Sequence, residues 1–585
     1  MKRFNPFVEA FHTIDGKLLF LKEEKFVEID NIDEVEMFLS FFRQEVDSED
    51  FLKNYPHLSE WFIPLGNTMS HKLKGKISFH YNFIIISKKD ICVECVLRWL
   101  PRSPELDYYI DLFSGKKGQL VYRACPSLDD LEWDVKELNQ LLKYKPLYIA
   151  DLDNHIFALD KTPAIHPECL NHHSFSDPDF FKLNDLPVHD MKDITFKIQS
   201  EPGNHILFPY FHETVHINAP SVVNPLVTLV GRGVDKDKET AQIKAVVEAV
   251  ERFHAWLPSQ DPVVYGTGQL FKKSTVDMDN AFLFNTLQYE SLPFTPYDSN
   301  QERWWVNAQN LTFASRSFIP LDFIQLKDSS TVKEPLYLPS STGMAGHTNQ
   351  QKCLQAAILE VIERAGQYLF WVNNIFKKIR ISSLDMDSEL SSIVQKIRQE
   401  GVDIHIWTVE VLAEVPPVFI CAFEYDINRF VFSSACDLDP KIGFSRALIE
   451  AITEYIDGKD MIAAEFKKPL IMEQPVDHLI YYLDTPNEVL EIIHRYTIKE
   501  EMDFMVEYGE FTLNKVIESL QNSNMDVVVL NKTSDFLKNL GIYVKHVFIP
   551  QLPSLGFSFS TLRLPNITYN SSRYRELQEI PHPFG

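Results

Sequence analysis

Paired glutamates inside helices that are otherwise almost wholly apolar constrain this chain more than any other feature. Residues 239–256 read as one helix in which Glu248, Glu251 and Arg252 stand at i, i+3 and i+4, side by side on one face. Their neighbours are Ala245, Val246, Val247, Ala249, Val250 and Phe253. A helix that is apolar nearly all round is expected to be buried, and carboxylates within it need a cation or a positive partner. After the small-residue loop 340–346, the helix 355–364 repeats the arrangement with Glu360, Glu363 and Arg364. A third helix, 444–454, sets Arg446, Glu450 and Glu454 on one stripe at steps of four. A single Glu-x-x-Glu-Arg match is commonly a solvated face carrying i, i+4 ion pairs. Two copies in apolar helices and a third with arginine and glutamate weigh against that account. Paired glutamates are hard oxygen ligands suited to Mg²⁺, and arginines suit phosphate oxygens, so the pattern points to nucleotide binding without a P-loop.

The remainder of the sequence bounds the architecture. At 585 residues the chain can bury more than one core. Its 45% hydrophobic and 24% charged residues are those of a globular protein. No apolar run approaches the ~20 residues needed to span a bilayer, and no signal-like core follows the basic start, so the expectation is cytoplasmic. A net charge of -25 argues against general nucleic-acid binding. Residues 1–72 read as a winged-helix-like unit, with short β-prone runs at 11–14, 17–21 and 25–29 and a helix capped by Asp33 with Glu36. A further helix is expected from Ser48. Residues 73–200 alternate strand and helix, with strand candidates at 83–87 and 147–150 and no phosphate-cradling glycine pattern after either. The acidic helices fall in a large third region, 201–585. The fold class expected is therefore α/β (α+β).

Cysteine positions add a second signal. Cys92 and Cys95 form a Cys-x-x-Cys pair, and Cys169 and His172 form a Cys-x-x-His pair. Together they make a tetrahedral zinc set in which structural Zn²⁺ would staple two distant segments of the middle region. The competing account is that Cys92 and Cys95 are small buried hydrophobes and His172 lies in a solvated loop. Cys125, Cys353, Cys421 and Cys436 lack such partners and read as core or incidental residues.

The ordered set Gly231-Arg-Gly233, Glu248-Ala-Val-Glu-Arg252, Gly346, Glu360-Val-Ile-Glu-Arg364 and Arg446-Ala-Leu-Ile-Glu450 resembles the YcaO superfamily. The ending Pro581-His-Pro583-Phe-Gly585 resembles the proline-rich tail of its azoline-forming cyclodehydratases. The start resembles the leader-peptide recognition element of these pathways. The Cys92/Cys95 and Cys169/His172 pairs resemble the zinc site of a degenerate ubiquitin-activating-enzyme-like domain, although four cysteines are commoner there.

The resemblance implies ATP-dependent cyclodehydration of Cys, or of Ser/Thr, in a ribosomally made precursor peptide. Glu248, Glu251, Glu360 and Glu363 would ligate Mg²⁺. Lys244, Glu248, Arg252, Arg364, Arg446 and Glu450 would contact ATP. Arg446, Glu450, Glu454 and the tail residues Pro581, Pro583 and Gly585 would serve the reaction. It further implies a separate leader-peptide-binding partner, a flavin dehydrogenase completing thiazoles, and a homodimer. Sibling readings are thioamide or amidine formation by the same ATP activation, or a non-catalytic scaffold that holds the peptide. Four positions depart from the family pattern: Lys244 for Ser, Ala365 for Asp, Glu454 for Gln and Gly585 for Pro.

Overall fold

The computed structural model describes residues 8–36, 75–98, 104–124, 135–159, 211–219, 227–255, 261–324, 340–463, 475–504, 511–555, 562–565 and 577–584, with short gaps, and also Phe196–Lys197 and Leu336. The expected helix from Ser48 lies outside these residues, as do Cys125, Cys169, His172 and Gly585. The chain divides into two compact units, Met1–Ile198 with His216–Leu229, and Gln199–Val215 with Val230–Gly585. Among the described residues no helix is long and apolar enough to cross a membrane.

In the first unit, short apolar-rich strands build two antiparallel sheets. One has the order Lys25–Ile29, Leu18–Lys22, Val8–Thr13, Gly118–Ala124. Strand Gly118–Ala124 belongs to the region read as 73–200, so the two N-terminal regions share a sheet. The other sheet runs Gly75–His80, Phe83–Lys88, Leu147–Asp151, Ile156–Leu159, with both strand candidates in adjacent central positions. The cap expected at Asp33 is instead Asn31. Its side-chain oxygen accepts from the Asp33 N–H at 3.0 Å and its carbonyl accepts from Val35, because an amide side chain two residues earlier reaches an orphan N–H of the first turn.

The second unit is built around the helix Gln350–Trp371. Cys353, Ala357, Ile358, Val361, Ile362, Ala365, Tyr368, Phe370 and Trp371 are all buried along it. It packs against strands Tyr543–Phe548 and Met344–His347 of a six-stranded sheet and against strands Val418–Glu424 and Phe430–Ala435 of a five-stranded one. Asn349 starts this helix by accepting from the Gln351 and Lys352 N–H groups. The five-stranded sheet is antiparallel except where Lys377–Ile379 meets Glu501–Met502. Helix Pro440–Ala463 lies along Val418–Glu424 and Phe430–Ala435, and helix Lys238–Ala255 lies against Met344–His347. Cys353, Cys421 and Cys436 are buried core residues.

Strand Val227–Asp235 approaches helix Lys238–Ala255 so closely that only glycine fits at two positions. A Cβ on Gly231 would overlap the Ala245 carbonyl and the Ala249 nitrogen, and one on Gly233 would overlap the Ala241 carbonyl and the Ala245 nitrogen. Backbone atoms cannot swing aside as a side chain can. Gly233→Ala is therefore expected to cost about 1–3 kcal/mol or more, read as an apparent Tm several degrees below wild type in a thermal scan. An unchanged melting curve would refute this close approach.

Candidate functional site

The glycine contact brings a cation onto the first acidic helix. Arg232, between the two glycines, donates its backbone N–H to Glu248 Oε2 at 2.8 Å. Its guanidinium reaches Asp457 Oδ2 on helix Pro440–Ala463 at 2.9 Å and also faces Glu454. Arg252 pairs with Glu248 at 2.7 Å. Lys244, one turn before Glu248, donates to Asp235 Oδ2 at 2.6 Å and to the Val234 carbonyl at 3.1 Å.

The second helix is tied to the first through the loop between them. Gly343 takes φ +84, a conformation that disfavours side chains, and a Cβ there would overlap the Val547 carbonyl. From this loop Gly343 gives a backbone hydrogen bond to Glu360, and Gly346 N–H donates to Glu251 Oε2 at 2.7 Å. Glu363 accepts from Ser434 Oγ at 2.7 Å and from Cys436 N–H at 3.3 Å, both at the end of strand Phe430–Ala435. Gln367 donates to the same Ser434 hydroxyl at 2.7 Å and accepts from Arg364 at 3.3 Å. Arg364 lies 3.8 Å from Glu360, and Arg446 lies 3.4 Å from Asp437.

The three acidic stripes thus face one another, but across an open cleft. The side chains of Glu248 and Glu360 keep 31% and 26% of their surface, and Glu450 and Arg446 are exposed. This corrects the expectation of helices buried on every side: each leaves its charged stripe open to solvent. Protein still surrounds the carboxyls closely enough to disfavour charge. Burial, then the facing Glu360 and Glu248, push the Glu251 carboxyl well above its ordinary range. Burial pushes Glu360 up to about 7 against the pull of Arg364, with Glu363 adding to the rise. Burial, Glu363 and Glu454 push Glu450 up to about 8. Glu454 rises to about 7 through burial, offset by Arg232 and reinforced by Asp457. Arg364 pays a burial cost but is held charged by Glu360, Glu363 and Glu450.

Such a set calls for added positive charge, and its oxygen donors fit Mg²⁺. Among the described residues no three His, Cys, Asp or Glu side chains converge as a ready-made metal cage. Mg²⁺ commonly takes one or two carboxylates together with substrate phosphates, so the donors present remain a fit for a metal that is completed by nucleotide. Of the zinc set, Cys92 precedes helix Val93–Arg98, with its carbonyl accepting from Val96, and Cys95 is buried within that helix. Cys169 and His172 lie outside the described residues.

The tail is not frayed. Pro581, His582, Pro583 and Phe584 are buried, and Phe584 rests against Phe370 and Phe432. A separate polar cavity of about 760 Å³, lined by Ser274, Asp277, Arg316 and Asp526 among others, contains none of the predicted residues. Sequence reasoning gave no role to Arg232, Asp457, Asp437, Ser434 or Gln367. Gln367 could have been found, since it stands four residues after Glu363 on the same stripe; nothing local distinguishes Ser434 or Asp457.

The description "YcaO cyclodehydratase, ATP- and Mg²⁺-binding" matches residues 230–553, more than half of the chain. The chain belongs to the YcaO family. Its fold is of the mixed α/β class expected from the sequence. The E. coli microcin synthetase McbBCD complex with pro-MccB17 bound is similar at TM-score 0.50 and 15% identity, over 66% of this chain and 96% of that one. A heterocyclase in complex with substrate and cofactor is similar at TM-score 0.49 and 13% identity over 94% of both chains. The YcaO protein of Methanopyrus kandleri bound with AMPPCP and Mg²⁺ is similar at TM-score 0.41 and 16% identity, over 61% of this chain and 85% of that one. At 15% identity the likeness to the microcin synthetase complex is one of fold. No curated protein matches the chain in sequence.

The raised carboxyls predict a pH dependence for this YcaO chain. A carboxyl whose value is raised by folding holds its proton more tightly when folded, so its contribution to stability is complete below the ordinary value and is lost as pH rises through the folded one. In chelator, the apparent Tm should fall as pH rises from 4.5 towards about 8. Glu450→Gln, which cannot ionise, should flatten that fall, and scanning calorimetry across the range would check it. A profile identical in wild type and Glu450→Gln would contradict the assigned strain.

Proposed function

We propose that this YcaO chain uses Mg-ATP to convert Cys, and by the same chemistry Ser or Thr, of a ribosomally made precursor peptide to thiazoline or oxazoline. The observation carrying the reading is the facing of three carboxylate stripes and their arginines across one cleft, in a chain whose family is described as ATP- and Mg²⁺-binding. The peptide thiol adds to the preceding amide carbonyl, giving a tetrahedral oxyanion. That oxygen is a poor leaving group until it receives the γ-phosphoryl group of ATP, which leaves ADP. Inorganic phosphate then departs as the C=N bond forms and the amide proton is lost, closing the azoline. Bound Mg²⁺ would offset charge on the phosphates during transfer.

The chain's own residues have separable tasks in this reading. Glu248, Glu251, Glu360 and Glu363 would hold the metal. Gly346, Gly343 and Ser434 already fix one oxygen or another of Glu251, Glu360 and Glu363, so these carboxylates are pre-aimed rather than loose. Arg252, Arg364 and Arg446 would meet phosphate oxygens, with Lys244 at the stripe's edge. Glu450 and Glu454 would complete the nucleotide site. Pro581, Pro583 and Gly585 would border the reacting amide. Structural Zn²⁺ on Cys92, Cys95, Cys169 and His172 is a separate proposal, tested by metal analysis of the purified chain. A leader-peptide-binding partner, a flavin dehydrogenase and a homodimer complete the proposed setting.

The test is reconstitution with a Cys-containing precursor and a leader-binding partner. ADP should form in step with loss of one water per modified Cys by mass spectrometry. Glu251→Gln and Glu363→Gln should each lower the rate by about 100-fold or more, as removal of a charge-stabilising group does. Sulfur replacing oxygen in the product would favour thioamide formation instead. Full conversion by both variants would sink the metal-site assignment.

A further inference from the structure

The tail Pro581-His-Pro-Phe584 has few backbone handles. Pro581 and Pro583 lack an N–H, so they cannot donate to a sheet or helix, and their orientation depends on carbonyls and side chains. Two residues one turn apart on helix Pro475–Tyr482 grip those carbonyls. The Tyr482 hydroxyl donates to the Pro581 carbonyl at 2.6 Å, and His478 Nδ1 donates to the His582 carbonyl at 2.7 Å. The His582 ring also stacks on His478, with centroids 4.0 Å apart and planes at 12°. His478 is fully buried and Tyr482 is 1% exposed.

The grip has a direction. Beyond it, Phe584 touches Phe370 and Phe432. Phe432 shares a strand face with Ser434, whose hydroxyl holds Glu363. Phe370 stands one turn beyond Gln367, which holds that same hydroxyl. The tail end is therefore seated against the two elements that fix Glu363. Apolar burial of Leu577 and Phe584 already anchors the terminus. Two aimed hydrogen bonds to successive carbonyls add orientation, which simple anchoring does not need.

We propose that His478 and Tyr482 are positioning residues, a clamp that sets the C-terminal tail beside the acidic cleft for the reaction. This rests on the proposed function. In the full chain with partner and Cys-containing precursor, Tyr482→Phe and His478→Leu are expected to lower kcat for azoline formation at least tenfold. The KM for ATP and the melting shift produced by Mg-ATP should stay at wild-type values, because the clamp touches neither nucleotide nor metal ligands. His478→Asn, which keeps a donor near the Nδ1 position, should recover most of the rate. Carboxypeptidase should release Phe584 faster from Tyr482→Phe and His478→Leu than from wild type. An active wild type with equally active clamp variants overturns the clamp alone. Loss of the Mg-ATP shift in both variants also overturns it, since the defect is then general. A wild type that forms no azoline with Mg-ATP, partner and precursor overturns the functional reading and the clamp's role with it.

Discussion

Repulsion among carboxylates on three different helices is the constraint on which the second unit depends. Glu251 faces Glu360, Glu360 faces Glu363, and Glu363 faces Glu450. Left to themselves these groups would spread apart or protonate. They are held by contacts that leave little freedom: two loop N–H groups, one serine hydroxyl and a strand–helix approach that admits only glycine. The rigidity comes from the packing of helix Gln350–Trp371 between two sheets, where most of its non-acidic face is buried. The apolar core thus keeps an electrostatically unfavourable arrangement in place.

The arginines show how this arrangement is kept from being ruinous. Each stripe carries one, and each pairs with a carboxylate close by in sequence: Arg252 with Glu248 and Arg364 with Glu360 along their own helices, Arg446 with Asp437 just before its helix. Arg232 is different, because it joins two helices at once through its backbone and its side chain. Positive charge is therefore spread along the cleft instead of cancelling any single carboxylate.

Much of this was legible in sequence, and the division follows interaction range. The i, i+3 and i+4 spacing put Glu248 with Glu251, and Glu360 with Glu363, because a helix converts short separations into fixed distances. The strands at 83–87 and 147–150 were legible from continuous apolar runs, but their neighbouring positions were not. The partners that aim the carboxylates were illegible: Ser434 is 71 residues from Glu363, and Gly346 is 95 from Glu251. Residue types also misled where shape decided the matter. The apolar neighbours of Glu248 implied burial all round, yet the helices meet so that their charged stripes border solvent. The shared sheet of strands Val8–Thr13 and Gly118–Ala124 escaped notice for the same reason, since pairing across about a hundred residues leaves no local periodicity.

Strain in the cleft and affinity for its ligand are two views of one quantity. A carboxyl raised to about 7 or 8 is a group whose charged form the fold disfavours. A cation that restores the charged form recovers that energy on binding, so binding and stability are linked and protons are released as metal enters. The same logic explains why the carboxylates are aimed by neutral donors. A loop N–H or a serine hydroxyl fixes a carboxylate oxygen without cancelling the charge. Had Glu251 and Glu363 been held by lysines, the geometry would be as firm but the demand for a cation would be gone. What the helices present is therefore a set of fixed, under-neutralised carboxylates, which an arginine-saturated cleft would not be.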